Sequence, residues 1–226
     1  MMQTSIGGTG YKMSEQLKTR REQEKQARYD AILDAAELVF SEKGYERCSM
    51  DDIARTAQLS RALLYVYFKD KAAIQRGIML RAGQSLSRRF REARDTASNG
   101  LEQIRAMGAA YYRFYLDEPD YFSALTKAST AMAEADASQA EDMFCSKMEL
   151  MELMVGAIRL GLADGTMSRE RIRDAMETAL YLRGALHGVI LLCQSEIGEH
   201  GGNPEFPADA LIRHTMDMLT SSIAAS

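Results

Sequence analysis

Two short helix-forming stretches follow each other almost without a gap, one from Ser49 to Ala57 and one from Ser60 to Tyr65, with only Gln58 and Leu59 between them. A connection this short makes one helix cross the other. Ser49-Met50-Asp51-Asp52 has the form of a capping box, with Asp52 at the position usually held by Glu or Gln. Ser60 is a natural cap for the second stretch. Ile53, Ala54, Ala57, Leu59, Leu63 and Leu64 supply the packing faces. Arg61 and Ala62 stay outside, at the start of the second helix. A helix-turn-helix of this kind offers a small, polar helix end to the DNA major groove. Arginine can bond guanine O6 and N7 together, and alanine can touch a thymine methyl while letting the helix come close.

The flanks fit the same unit. A helix is expected up to Lys43, with Ile32, Ala35, Ala36, Val39 and Phe40 at helical spacing. Gly44 ends it, and Tyr45 packs back on the core. Tyr65, Tyr67 and Phe68 lead to Asp70, which caps a fourth helix running to about Thr96. Ser98-Asn99-Gly100 stops that helix. Candidate phosphate contacts are Ser49 at a helix start, the Tyr65 and Tyr67 phenols, and Lys71. Lys71 lies in a first helical turn, where a cation opposes the helix dipole. A phosphate partner explains it better than helix stability does. Each residue alone has a plainer reading: a cap, a core tyrosine or a solvated cation. The joint spacing favours the interface.

Charge says less. The net charge is −4, awkward for a DNA binder. Residues 1–75 hold twelve Lys/Arg against eleven Asp/Glu, and the remainder sixteen against twenty-one. Any positive patch must therefore be local. Lys18, Arg20, Arg21, Lys25 and Arg28 form a basic arm before the first helix, which fits a minor-groove contact or a solvated helix start equally. Residues 1–17 lack periodicity and read as a disordered tail. No apolar run could span a bilayer and no secretion signal is evident, so a cytoplasmic protein without membrane contact is expected. Cys48, Cys145 and Cys193 are far apart and form no metal-ligand spacing, so no metal is expected. Inert thiols are the simple reading. Redox activity would need proximity or a lowered pKa.

Across residues 28–74 the stretches AILDAAELVFSEKGY, SMDDIARTAQLS and LLYVYFKDK resemble the TetR family of bacterial transcriptional regulators. The resemblance implies a homodimer on a palindromic double-stranded operator. It also implies base contacts near Arg61 and Ala62, with Ser60 beside them in the DNA-binding set, and phosphate contacts from Ser49, Tyr65, Tyr67 and Lys71. Three positions depart from the family pattern. Gln58 replaces the usual turn glycine, costing about 1 kcal/mol if that residue needs positive φ. Cys48 replaces a common threonine. Ala73 replaces a frequent glutamate.

The second half reads as five more helices, near 101–116, 120–133, 139–162, 168–197 and 207–222, the last two separated by Gly201-Gly202-Asn203-Pro204. The whole is all-α: a nine-helix, two-domain chain with a three-helix DNA-binding domain at 18–75 and a ligand-binding and dimerisation domain at 76–226. Phe144, Met148, Met151, Val155, Ile158 and Leu162 share a face of the seventh helix. Resemblance to the family is weaker here. It implies a small-molecule effector pocket and a four-helix dimer interface. Met107, Tyr111, Phe114, Met148, Met151, Met154 and His187 are candidate pocket residues, although plain core is the simpler reading of such stripes. Gly184 and Gly188, with Leu211, Thr215 and Met218, are candidate interface residues, and ordinary internal packing would serve them as well. The expected function is a DNA-binding regulator, a repressor released by its effector. The alternatives are a regulator acting through a protein partner, or a helical enzyme. An enzyme is not expected, since no phosphate loop or catalytic constellation is present and His187, His200 and His214 are poorly spaced, and no cofactor is expected.

Overall fold

The computed structural model describes the backbone of residues 8–126, 137–194 and 207–225, with side chains from residue 19 in the first stretch and residue 140 in the second. Nine helices lie among the described residues: α1 Gly8–Lys43, α2 Met50–Thr56, α3 Arg61–Tyr67, α4 Lys71–Asp95, α5 Gly100–Asp117, α6 Pro119–Thr126, α7 Ala137–Asp164, α8 Ala175–Leu192 and α9 Ala208–Ile223. None of them is long and apolar enough to cross a membrane. The chain divides into two compact units, Met1–Ile78 and Met79–Ser226.

Most helix ends follow the local chemistry. Ser49 closes its capping box with Asp52. Ser60 accepts from Leu63 N, and Asp70 from Ala73 N at 2.6 Å. Gly44 and Gly165, both at positive φ, end α1 and α7. Two starts differ from expectation. α1 begins at Gly8, not near Lys18, because Tyr11–Gln26 has no breaker and is rich in strong helix formers. The basic residues 18–28 therefore lie along a helix rather than on an arm. α8 begins after its cap Asp174, not at Ser168. Residues 168–172 are instead held as a turn. Met167 bridges Ala224, and Ser168 N donates to Ile223 O at 2.9 Å. Residues 1–7, 127–133 and 195–197, His200 and the loop 201–204 lie outside the described residues.

In the first unit α2 packs on α1 and α3. Ile32, Ala36, Ile53, Leu64 and Ile74 are fully buried or nearly so, and Tyr29 stacks on Phe68 at 4.8 Å. Gln58 has φ 56°, the one positive-φ non-glycine residue described. The turn between α2 and α3 therefore needs the left-handed conformation. Left-handed backbone costs a side-chain-bearing residue ~1–2 kcal/mol. Glycine gives part of this back through the unfolded chain, ~0.4–1 kcal/mol. Gln58→Gly is expected to raise stability by ~0.5–1 kcal/mol in urea denaturation. A loss would mean that the Gln58 side chain stabilises the turn.

In the second unit α5 packs on α6, α7 and α9, and α8 on α7 and α9. The α5–α7 approach is very close. A Cβ built on Gly100 would lie 2.0 Å from the backbone nitrogen of Gly161. The Asp164 carboxylate reaches across to accept from Gly100 N at 2.8 Å, and also from Thr166 N and Oγ1. These bonds, those from Thr166 foremost, hold the Asp164 carboxyl below the usual range. They supply the α5 N-terminus with an anion, which suits the helix dipole.

Candidate nucleic-acid interface and cavity

In the first unit the reading face is set by the caps. Ser60 starts α3 in extended backbone, and Leu64 is buried against α2. One turn of offset then puts Arg61, Ala62, Tyr65 and Val66 on the outside. Tyr67 is half-buried. Arg61 Nη1 lies 3.2 Å from Asp51 Oδ2, and its guanidinium sits 5.6 Å from the Tyr65 ring centre. Both partners of this ion pair are exposed, so it is weak. Arg61 is thus only loosely paired and stays exposed at the start of α3. Val66 was not anticipated. It is 77% exposed, an unusual setting for a bare isopropyl group, and it suits a thymine methyl. Its spacing of four from Ala62 was the available signal.

Two of the expected phosphate contacts are otherwise engaged. Lys71 Nζ donates to the carbonyls of Tyr45 at 2.6 Å, Cys48 at 3.0 Å and Glu46 at 3.4 Å, and lies 4.3 Å from the Tyr45 ring centre. Its three protons are used inside the unit. These bonds give Lys71 a role inside the fold, beside the phosphate contact that the resemblance implies. The cation sits at an unfavourable helix end because it ties down the α1–α2 loop. Ser49 Oγ donates to Asp52 Oδ2 at 2.7 Å and accepts from Asp52 N. The Asp52 carboxylate already occupies the anion position of α2 and pairs with Lys43 at 2.8 Å. Lys43 and Ser49 hold the Asp52 carboxyl well below the usual range. A second anion there would meet repulsion. Cys48 is buried, and that burial pushes its thiol up, away from the reactive thiolate. Ala73 is buried in α4.

The second unit holds a cavity of about 530 Å³ between α4, α5, α6, α7, α8 and α9. This lies within the range of roughly 300–1,000 Å³ typical of small-molecule sites. Met107, Tyr111, Met151, Met154 and His187 line it. Phe114 and Met148 do not. Phe114 is 0% exposed, turned into the packed core, and Met148 is half-buried outside the lining. Phe144, on the apolar face of α7 read from the sequence, is 63% exposed and also lines the cavity. The sequence reading missed Met79, Leu86 and Phe90 of α4 and Phe122 of α6. The α4 residues recur at i, i+7 and i+11, a helical stripe that could have found them.

A polar pair lies in the cavity lining. Tyr111 Oη and His187 Nδ1 share a hydrogen bond of 2.7 Å. Burial pushes the Tyr111 phenol up to about 12. Burial first, and the Arg183 charge second, lower the His187 imidazole below its usual range. Both groups are neutral at neutral pH.

On α8, Leu180, Tyr181, Leu191 and Leu192 are exposed, along one face with Gly184 and Gly188. Nothing lies within 4 Å of a Cβ built on either glycine. Met218 of α9 is exposed, while Leu211 and Thr215 are half-buried. Cys193 is buried and Cys145 exposed.

Comparison with known proteins adds three kinds of likeness. The family model described as bacterial regulatory proteins, tetR family, matches residues 32–76. The model described as tetracyclin repressor-like, C-terminal domain, matches residues 104–219. The HTH-type transcriptional activator FasR of Mycolicibacterium smegmatis is 31% identical over 83 residues, 37% of this chain and 38% of that protein. The biofilm operon icaADBC negative transcriptional regulator IcaR of Staphylococcus aureus is 44% identical over 45 residues, 20% of this chain and 24% of that protein. The chain thus matches well under half the length of either relative. In fold it is similar to the transcriptional regulator FadR of Bacillus subtilis, solved in complex with stearoyl-CoA. That likeness has a TM-score of 0.67 and 16% identity, over 86% of this chain and 99% of that one.

Proposed function

Because this chain belongs to the tetR family of bacterial regulatory proteins, and is thereby a DNA-binding transcriptional regulator, we propose that it acts as a homodimer on a palindromic operator and leaves it when a small molecule enters the cavity. The observation that carries this reading is the outward face of α3. Arg61, Ala62, Tyr65 and Val66 are exposed there, beside a buried Leu64 that fixes their direction. In a dimer, two such helices must sit about one DNA turn apart, roughly 34–36 Å, or a multiple of it. The exposed apolar face of α8, with Gly184 and Gly188 at close-packing spacing and Met218 on α9, is what a second copy of the chain would cover.

The cavity supports release by an effector over action through a protein partner alone, since a unit with no ligand would be expected to fill such a space. The neighbour solved with stearoyl-CoA binds a small molecule on the same fold. Helix α4 contributes residues to both units. A ligand that prefers one position of α4 shifts the spacing of the reading helices, and only a difference in affinity between the two states can do so. The two relatives are an activator and a negative regulator. The direction of control here is read as repression, since effector binding then needs only to weaken the DNA complex.

An operator titration tests the reading. Arg61→Ala is expected to weaken specific binding by ~1–3 kcal/mol and to relax the preference at one base pair. Non-specific binding should change little. Unaltered specific affinity would remove α3 from the major groove.

A further inference from the structure

The cavity of the second unit has a charge pattern as well as a size. Among its described lining residues only Arg105, Lys147 and Arg183 carry a formal charge, and all three are cations. No aspartate or glutamate is found among those residues. The pattern runs against composition, since Asp and Glu outnumber Lys and Arg by 32 to 28 in the chain. The three come from different helices, α5, α7 and α8, and all are exposed. They therefore stand where the cavity meets solvent.

Their internal partners are weak. Arg105 has Glu102 of its own helix at 3.9 Å, both half-exposed. Arg183 Nη1 donates to the thioether of Met151 at 3.4 Å. A thioether is a poor acceptor that carries no charge. The Arg183 charge also reaches inward: it opposes the rise that burial imposes on Tyr111 and adds to the fall that burial imposes on His187. Beyond the mouth the wall is methionine, leucine and phenylalanine, with the neutral Tyr111–His187 pair set into it. A cation entering would be repelled at the mouth. A wholly polar anion would lose its water against an apolar wall. A neutral hydrocarbon would leave three cations unused.

We propose that the effector is an amphiphilic anion, with an apolar body inside the cavity and one carboxylate or phosphate-ester group at the mouth, held by Arg183 within the field of Arg105 and Lys147. This rests on the cavity being the effector site, as proposed above. The guanidinium can present two parallel N–H donors to either headgroup. Arg183 exchanges a thioether for a counter-charge, which is the gain that selects the anion.

Isothermal titration of the full chain with four twelve-carbon probes below their micelle concentrations tests this: dodecanoate, dodecyl phosphate, dodecan-1-ol and dodecylammonium. One or both anions are expected to bind about tenfold tighter than the alcohol, with the ammonium weakest. Their order tells which headgroup the mouth prefers. In Arg183→Gln the anion advantage should fall to about threefold or less while alcohol affinity holds, and Arg183→Lys should restore part of it. Equal affinity for alcohol and anions, or tighter binding of the ammonium, overturns the anionic effector and leaves the cavity as an effector site. If none of the four binds, the effector reading itself falls, and this inference with it.

Discussion

Gly100→Ala is expected to destabilise the second unit by at least ~3 kcal/mol, although a helix normally gains from alanine in place of glycine, by up to about 1 kcal/mol. The sign reverses because of what the new methyl would meet. The built Cβ lies 2.0 Å from Gly161 N, 2.3 Å from Gly161 Cα and 2.4 Å from the Ala157 carbonyl oxygen. All three are backbone atoms, so no side chain can rotate away. α5 and α7 must move apart, and the Gly100 N–H is then drawn from Asp164. Gly156 on the same α7 is the control. A Cβ there meets nothing within 4 Å, so Gly156→Ala should stabilise by ~0.5–1 kcal/mol. Denaturant unfolding of the two variants should move in opposite directions. A mild effect at Gly100 would mean that the α5–α7 contact is looser than described.

Lys71→Met is expected to cost the first unit about 3 kcal/mol. Methionine keeps most of the apolar stem, so the change isolates the ammonium. Three carbonyls of the α1–α2 loop, those of Tyr45, Glu46 and Cys48, lose their shared donor. Tyr45 also loses the cation over its ring. Hydrogen bonds to a charged group contribute ~1.5–3 kcal/mol each, and three sharing one donor are not additive. The salt dependence of DNA binding separates this role from a phosphate contact. Loss of one phosphate contact lowers the slope of log affinity against log salt by ~0.9. For Lys71→Met, measured where the variant is folded, the slope is expected to stay unchanged. A drop of that size would return Lys71 to the DNA surface.

Much of the first unit was legible because its signals are local. Ser49 with Asp52, Ser60, Gly44 and Asp70 each act within about four residues, and the helix ends they imply are those observed. The left-handed turn at Gln58 was signalled only by the resemblance, whose members usually carry glycine at that position. The errors have local causes as well. The start of α1 is hidden in the sequence because the glycines and threonines near the terminus lack periodicity, while the helix formers that follow carry the helix back to Gly8. Ser168 has the character of a cap, but Asp174 is the cap used, because residues 166–168 pair with the chain end at 223–225. Nothing near Ser168 reveals that pairing. In the second unit, spacing alone could not separate cavity from core. Met107 and Phe114 sit on the same stripe of α5 and both are buried, yet only Met107 lines the cavity, a distinction set by the helices packed around α5.

What the sequence settled by itself was the all-helical class, the helix-turn-helix and the identity of the residues at the start of α3, since caps, breakers and periodicity act over one or two turns. The tertiary structure alone decided that Lys71 bonds the carbonyls of the α1–α2 loop, that Gly100 comes within backbone contact of α7, and that three cations from separate helices share one apolar cavity. Each of these depends on groups far apart in the chain, tens of residues in every case, and their energies arise only when packing brings them together.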